Sequence, residues 1–428
     1  MSQEGRLTRR LCGAIKARLP EIGLEQVNDP RGRRGKRWKL HTLLRVVVVG
    51  MMAGAKSLVD VEKLTAEMSG AARGLLGLRR RIADTTLRDA LCRLSVDKVR
   101  DALHRTIHAA HHRKALAPVD LPFGVVAMDG KWTAIDGIDT EYAQRNHRDD
   151  GSEYGLVRTV TCTLSSAAAK VCIDAAPIPV ATNEMGFFKG ALEKLLEAYG
   201  RIKLFRLVTY DAGACSEENA RFVVHKGLDY LFTITDAQPT LLAEAERVLS
   251  RIGALRADAT TEDVKNGRIV VREVYITTEM AAYQWAHLKT VLRVRSRTTD
   301  KNGNNPAIDE RYFAASLEKG ALTAHQWLSV IRLHWSVENN CHHTFDTAFQ
   351  EDNRPWIVAC PSGTVVVELL RRIAYNLLVL FRSTTQRSEE KRAVPWKDLL
   401  RSVYNALIAV TEPQLSGLRG RKVIDVTP

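Results

Sequence analysis

Phe123-Gly124-Val125-Val126-Ala127-Met128-Asp129 is an apolar run that stops at an acid followed by glycine. Such a run, bounded by turn-forming residues, reads as a buried β-strand. A second run, Leu204-Phe205-Arg206-Leu207-Val208-Thr209-Tyr210, is likewise followed by an acid, Asp211. Either aspartate alone could simply open a turn. Taken with Glu338, in the helical segment His334-Trp335-Ser336-Val337-Glu338-Asn339-Asn340, they form a set of three carboxylates from distant segments. Two strand-end aspartates and a helical glutamate can hold two Mg²⁺ ions for phosphodiester chemistry, with Mn²⁺ expected to substitute. A hard cation takes one or two protein carboxylates and completes its shell with water and phosphate oxygens.

Outward from Asp129 the pattern is mixed. The runs 156–164 and 169–175 read as strands, 183–199 as an amphipathic helix, 217–225 as a helix and 230–235 as a strand. Three strands in a meander followed by alternating helices and strands predict a mixed sheet covered by helices. Before it, the spacing of apolar residues predicts helices over 40–55, 58–68, 85–94 and 96–112, with Asp84 as an N-cap. This basic N-terminal region reads equally as a DNA-binding or a dimerisation unit. After Asp211, strand signals at 268–276 and 290–296 with a turn at 301–306 read as a β-rich insertion ahead of the glutamate helix. Helices are expected over 365–381 and 396–410, and residues 383–392 read as an exposed linker. The expected division is 1–115 helical, 116–240 first part of an α/β core, 241–320 insertion, 321–382 second part of the core, and 383–428 linker and terminal helix.

The 428 residues carry a net charge of +14, with 63 Lys and Arg against 49 Asp and Glu. A pI near 9.5 favours a polyanionic partner, because neutralised phosphates release counterions. Residues 1–40 hold eleven Lys/Arg and four Asp/Glu, half the net excess. Within them Arg31, Arg33, Arg34, Lys36 and Arg37 read as a phosphate-gripping arm, with Trp38 available to stack or to pack. Seven cysteines without a Cys-x-x-Cys pair argue for reduced, mostly buried thiols and a cytoplasmic setting. The apolar stretch 46–55 is too short to span a bilayer, so no membrane partner is expected.

Around Glu338 a helix places His334 four residues before and His342 four after, with Asp346 a turn further on. The His pair could bind zinc, although the order is not His-Glu-x-x-His and both aspartates would stay unexplained. Lys131, Arg332, His334, Trp335 and His342 are the further candidates for holding DNA.

These residues resemble a family. Asp129-Gly130-Lys131, then Tyr210-Asp211-Ala212-Gly213-Ala214-Cys215-Ser216-Glu217-Glu218-Asn219-Ala220, then His334-Trp335-Ser336-Val337-Glu338-Asn339 with Asp346, Phe349, Glu351 and Asp352, look like DDE transposases of bacterial insertion sequences. The resemblance spans roughly 28–382. It implies an RNase H-like catalytic core interrupted by a β-strand insertion, with Asp129, Asp211 and Glu338 as the metal-binding triad. It also implies Mg²⁺-dependent cleavage at element ends and joining to target DNA by an assembly that pairs two ends, hence a homo-oligomer, on the nucleoid of a bacterial cytoplasm. Where related transposases carry a Tyr and an Arg before the glutamate and a Lys after it, this chain has Ile331, His334 and Phe345. His334 or Arg332 is the candidate substitute. A hydrolytic nuclease on the same core, and a domesticated DNA-binding protein without catalysis, are the alternative readings.

Overall fold

The computed structural model describes residues 3–32, 36–252, 256–265, 267–302, 304–386 and 388–416. Helices α1 (Gln3–Arg18), α2 (Leu40–Met52), α3 (Leu58–Glu67), α4 (Gly70–Leu76), α5 (Asp84–Leu91) and α6 (Val96–His112) form the N-terminal region. Serine hydroxyls cap three of them: Ser57, Ser69 and Ser95 accept from the backbone N–H three residues on. Asp84 is not the N-cap of α5. Ala83 holds that position, and Asp84 sits in the first turn, its N–H donating to Glu62 Oε2 across from α3 at 3.0 Å.

Strands β1 (Val125–Ile135), β2 (Ala143–His147), β3 (Glu153–Leu164) and β4 (Cys172–Pro177) lead to α7 (Glu184–Tyr199). Then come β5 (Leu207–Tyr210), α8 (Glu217–His225), β6 (Asp229–Ile234) and α9 (Pro239–Ile252), and the strands β7 (Ala259–Lys265), β8 (Arg268–Thr277), β9 (Thr290–Asp300) and β10 (Ala307–Ala315). All ten strands belong to one sheet, in the order β2-β3-β1-β5-β6-β10-β9-β8-β7, with β4 also on β3. The mixed α/β architecture expected from the pattern is therefore present. The strands 259–315 form an antiparallel meander joined edge-on to β6 through β10.

One register places the site. Strands β1 and β5 run parallel, with Val125 opposite Leu207, Val126 opposite Val208 and Ala127 opposite Thr209. Asp129 and Asp211 each follow the last paired residue by two. Asp129 is not a strand end, however: β1 continues to Ile135 because its other edge stays paired to the longer β3, with Asp129 opposite Thr161. What ends at Ala127 is only the parallel pairing.

The last part of the chain comprises α10 (Ala324–His334), a π-helical segment Val337–His342, α11 (His343–Thr347), α12 (Pro361–Leu380), a π-helical turn Phe381–Thr385, and the helices α13 (Glu389–Arg392), α14 (Trp396–Ala409) and α15 (Glu412–Ser416). The expected exposed linker is thus partly the continuation of α12 and partly α13. Helix α12 is buried along nearly all its length, packed against α2, α6, β3 and β4. A helix covered on every side is normally apolar all round. This one carries Glu368, Arg371, Arg372 and Asn376 inside.

These buried groups are tied to partners. Asn376 exchanges two hydrogen bonds with the backbone of Cys172, at 2.8 and 2.7 Å. Arg371 Nη1 donates to Glu351 Oε2 at 2.8 Å, and Arg372 Nη1 donates to the same oxygen. Burial alone would raise Glu351; the two guanidiniums outweigh it and hold its carboxyl at about 2. Burial and the neighbouring Glu351 charge push Glu368 up to about 7. A similar pair joins α6 to β4, where Arg100 grips Asp174 through both carboxylate oxygens and His104 approaches at 3.2 Å. Removing one partner of such a buried pair leaves an uncompensated charge, at a cost of about 3–5 kcal/mol. Glu351→Gln should therefore lower the unfolding free energy measured in urea by that amount, far more than Glu217→Gln in an exposed pair; equal effects would refute the assignment.

Candidate active site

Asp129 and Asp211 lie side by side at the end of the parallel pairing, and the Glu338 segment crosses above them. Asp211 Oδ1 accepts the Gly213 N–H at 3.0 Å. Asp129 Oδ2 is 3.3 Å from His342 Nδ1. The fourth acid is one that sequence reasoning missed. Glu184, the first residue of α7, accepts the Tyr210 hydroxyl at 2.7 Å. Its only sequence signal was the helix start Asn183-Glu184, a common capping pattern that carries no chemistry.

The acids feel one another. Burial and then the charge of Asp129 raise Asp211 above the ordinary aspartate range, against the Gly213 hydrogen bond. Partial burial, Asp129 and Asp211 raise Glu338, with His342 opposing. Burial comes first again for Glu184, with Asp129 and Asp211 adding to it. Crowded carboxylates whose ionised forms are disfavoured and whose donors are all oxygen suit a hard divalent cation. Among the described residues no three His, Cys, Asp or Glu side chains close round a common metal position.

Glu338 lies in the π-helical segment, not in a continuous α-helix. This explains how the expected stripe stays on one face. In an α-helix each four-residue step drifts by about 40°, so His334 and Asp346 would point about 120° apart. The wider π turn absorbs that drift. His334 reaches Thr209 of β5 (3.2 Å), His342 reaches Asp129 of β1, and Asp346 meets Lys131 of β1 (2.7 Å).

Several candidate cations are already engaged. Lys131 is only 9% exposed and donates to both Asp346 and Asp352, at 2.7 and 2.8 Å. Arg31 is 7% exposed, forked onto Asp29 with a further bond to the Trp38 carbonyl. Arg332 pairs with Asp263 at 2.9 Å, and Trp38 packs against the core. Lys36 and Arg37 are exposed, whereas Arg33 and Arg34 lie outside the described residues. Trp335 is half-buried under the Arg311 guanidinium, 4.6 Å from the ring centre. Together with Arg332, Asn339, Asn340 and Lys170 it lines a cleft of about 450 Å³, to which Asp129, Asp211 and Glu338 do not contribute. A second cleft, of about 820 Å³, is lined by Arg10, Arg18, Arg113, Lys114 and Lys391 with Thr384, Thr385 and Ser388. These cations come from separate segments, which is why no basic run announced them.

Comparison with known proteins points to one family. Residues 23–106 match the family described as DDE_Tnp_1-associated, a match that covers the helices from α2 to most of α6. Two Escherichia coli proteins whose names carry the word transposase are similar to the chain. YhhI of strain K12, H repeat-associated by name, is 25% identical over 204 residues, 44% of this chain and 52% of that protein. YncI of strain O157:H7 is 24% identical over 262 residues, 58% of this chain and 62% of that protein. The chain resembles the DDE transposases of insertion sequences. It spans about half the length of the curated relatives it matches. Among the described residues no helix is long and apolar enough to cross a membrane, and all seven cysteines are free thiols.

His334 supplies a pH test of the site's packing. Burial holds its imidazole down at about 4, against an ordinary 6.5, so it is neutral at physiological pH. A lowered histidine pKa means the unfolded chain binds the proton first, so stability falls as pH drops through roughly 6.5 towards 4. The full contribution is on the order of 3 kcal/mol. His334→Gln should flatten that part of the curve of unfolding midpoint against pH. An unchanged slope would place His334 in solvent.

Proposed function

We propose that the chain is a DDE-type transposase that binds the ends of its insertion sequence, cuts them and transfers the freed strand into target DNA. The observation that carries this reading is the β1–β5 register, which sets Asp129 beside Asp211 under the Glu338 segment. The similarity to transposase-named proteins and the basic charge of the chain support it. Asp129, Asp211 and Glu338 would hold two Mg²⁺ ions, or Mn²⁺ in their place. When bound, such ions lower the pKa of an attacking water or DNA 3′-hydroxyl and stabilise the leaving oxygen of an in-line displacement.

The protein's own part is placement. The two aspartates supply oxygens from one rigid sheet, and Glu338 closes over them from a helical segment. His342 holds Asp129 by one oxygen, leaving the other for a ligand. We read the sheet as an RNase H-like core and the cleft walled by Trp335, Asn339 and Asn340 as the path of the reacting strand. The duplex backbone would follow exposed cations, Lys36 and Arg37 with Lys114 and Lys391 of the larger cleft, since Lys131, Arg31, Arg18 and Arg113 are already paired. Pairing of two ends makes a homo-oligomer the expected active form, acting on the nucleoid of a bacterial cytoplasm.

The test is cleavage and joining of labelled DNA from the flanks of the gene, with Mg²⁺ or Mn²⁺. Asp129→Asn, Asp211→Asn and Glu338→Gln should each lose several orders of magnitude in rate while binding DNA almost as the native protein does. Survival of cleavage in Asp211→Asn would sink the mechanism, and cutting without joining would leave a nuclease. A separate measurement addresses the DNA path. The double change Lys114→Ala and Lys391→Ala should flatten the slope of log affinity against log salt by about 2, close to one per lost phosphate contact. An unaltered slope would move the DNA elsewhere.

A further inference from the structure

Helix α7 begins against both aspartates, and the contacts there are specific. The carboxylate of Glu184 accepts the hydroxyl of Tyr210, the residue immediately before Asp211, at 2.7 Å. Its other oxygen lies so close over Gly130, the residue immediately after Asp129, that a Cβ at position 130 would stand 1.8 Å from it. The Gly130 backbone also favours the charged form of this carboxylate, against its burial. Next along the helix, Met185 packs on the loop that carries Asp211, its Cγ 3.5 Å from the place of a Cβ on Gly213. Asn183 pins the start of α7 by accepting the Gly186 N–H at 2.9 Å. One side chain on a capped helix therefore spans the backbone neighbours of two aspartates on different strands.

We infer that Glu184 is a positioning residue for the carboxylate site, a clasp that sets the separation of Asp129 from Asp211 through Gly130 and Tyr210. The inference rests on the transposase reading above. The parallel pairing of β1 and β5 ends at Ala127 and Thr209, so backbone hydrogen bonds no longer hold the strands together where the two acids stand. Glu184 makes the cross-link at that level. The Tyr210 ring is buried and packs edge-on against Phe188 of the same helix, with ring centres 5.3 Å apart, so its hydroxyl has a fixed direction. Glycine at 130 then has a reason beyond the turn expected of Asp-Gly: a side chain there would expel the clasp.

A clasp and a direct metal ligand make different demands on residue 184. Glutamine keeps the length and one oxygen that accepts the Tyr210 hydroxyl but gives up the charge; alanine gives up both. The experiment measures Mn²⁺ binding to the full chain without DNA by electron paramagnetic resonance, alongside the cleavage rate and the unfolding midpoint. The proteins compared are native, Glu184→Gln, Glu184→Ala, Tyr210→Phe and Asp211→Asn. Loss of a group that orients metal ligands typically weakens binding 10–100-fold. Glu184→Ala should therefore bind Mn²⁺ at least about 10-fold more weakly, and Glu184→Gln within a few-fold of native. Tyr210→Phe, which keeps the ring and loses one of the two ties, should fall between them and provides the reading if Glu184→Ala does not fold. Glutamine as damaging as alanine would overturn the clasp in favour of a charged ligand. Native affinity in both Glu184→Ala and Tyr210→Phe would overturn it outright. Asp211→Asn separates the two ideas: if it too binds Mn²⁺ as the native protein does, the metal site itself fails and the clasp falls with it. If it loses Mn²⁺ while the Glu184 and Tyr210 variants do not, only the clasp fails.

Discussion

Everything near the candidate site depends on one parallel pairing, Ala127 opposite Thr209. Neighbouring strands in a sheet lie roughly 4.8 Å apart, so equal offsets from a paired couple bring two side chains to one level. A slip of a single residue would send Asp129 or Asp211 to the opposite face. The register is protected on both flanks: β1 is locked along its whole length by β3, and β5 is held by β6. The acids thus stand on the most constrained part of the sheet, and the repulsion between them is borne by backbone pairing on either side.

Beside those acids, on the same face of the sheet, the protein tolerates an unusual amount of buried charge. Lys131 lies two residues beyond Asp129 and faces the Asp346, Asp352 and Glu351 cluster, which Arg371 and Arg372 anchor from α12. Such ionic cores add little net stability compared with apolar packing, but they punish misplacement severely. Here they couple β1, the segment after Glu338 and α12 into one unit. The glutamate-bearing segment is consequently held by charge at its far end and by His334 at its near end, with Glu338 facing solvent between them.

Local patterns were the legible part of the sequence. Helices α2, α3, α5 and α6 followed from three- and four-residue spacing, whereas α1 and α4 were not singled out, and Asp211 followed from the apolar run before it. The strand carrying Asp129 was placed but ended too early, because Asp129-Gly130 reads as a turn, whereas pairing with β3 keeps the chain extended to Ile135. Non-local facts were not legible. Nothing in residues 307–315 announces that they pair with 231–234, and nothing in Glu184 distinguishes it from an ordinary first-turn acid. The basic cleft draws Arg10, Arg18, Arg113, Lys114 and Lys391 from three regions, so no window of sequence contains it. The arm at Arg31 showed the reverse error: its density of charge was plain, but a carboxylate two residues away had already claimed the first guanidinium.

The π-helical segment has a consequence of its own. Its widened turn gives the polypeptide a phase adjustment between α10 and α11, so the angular position of everything downstream is counted from Glu338 in single residues. A change that rewound 337–342 as α-helix at unchanged length would leave Glu338 near its place but rotate His342 and Asp346 away from β1. Asp129 would lose its imidazole and Lys131 one of its two carboxylates, although no side chain touching β1 had been changed. Across related chains, the winding of this short stretch is therefore as much a part of the site as the identity of its acids.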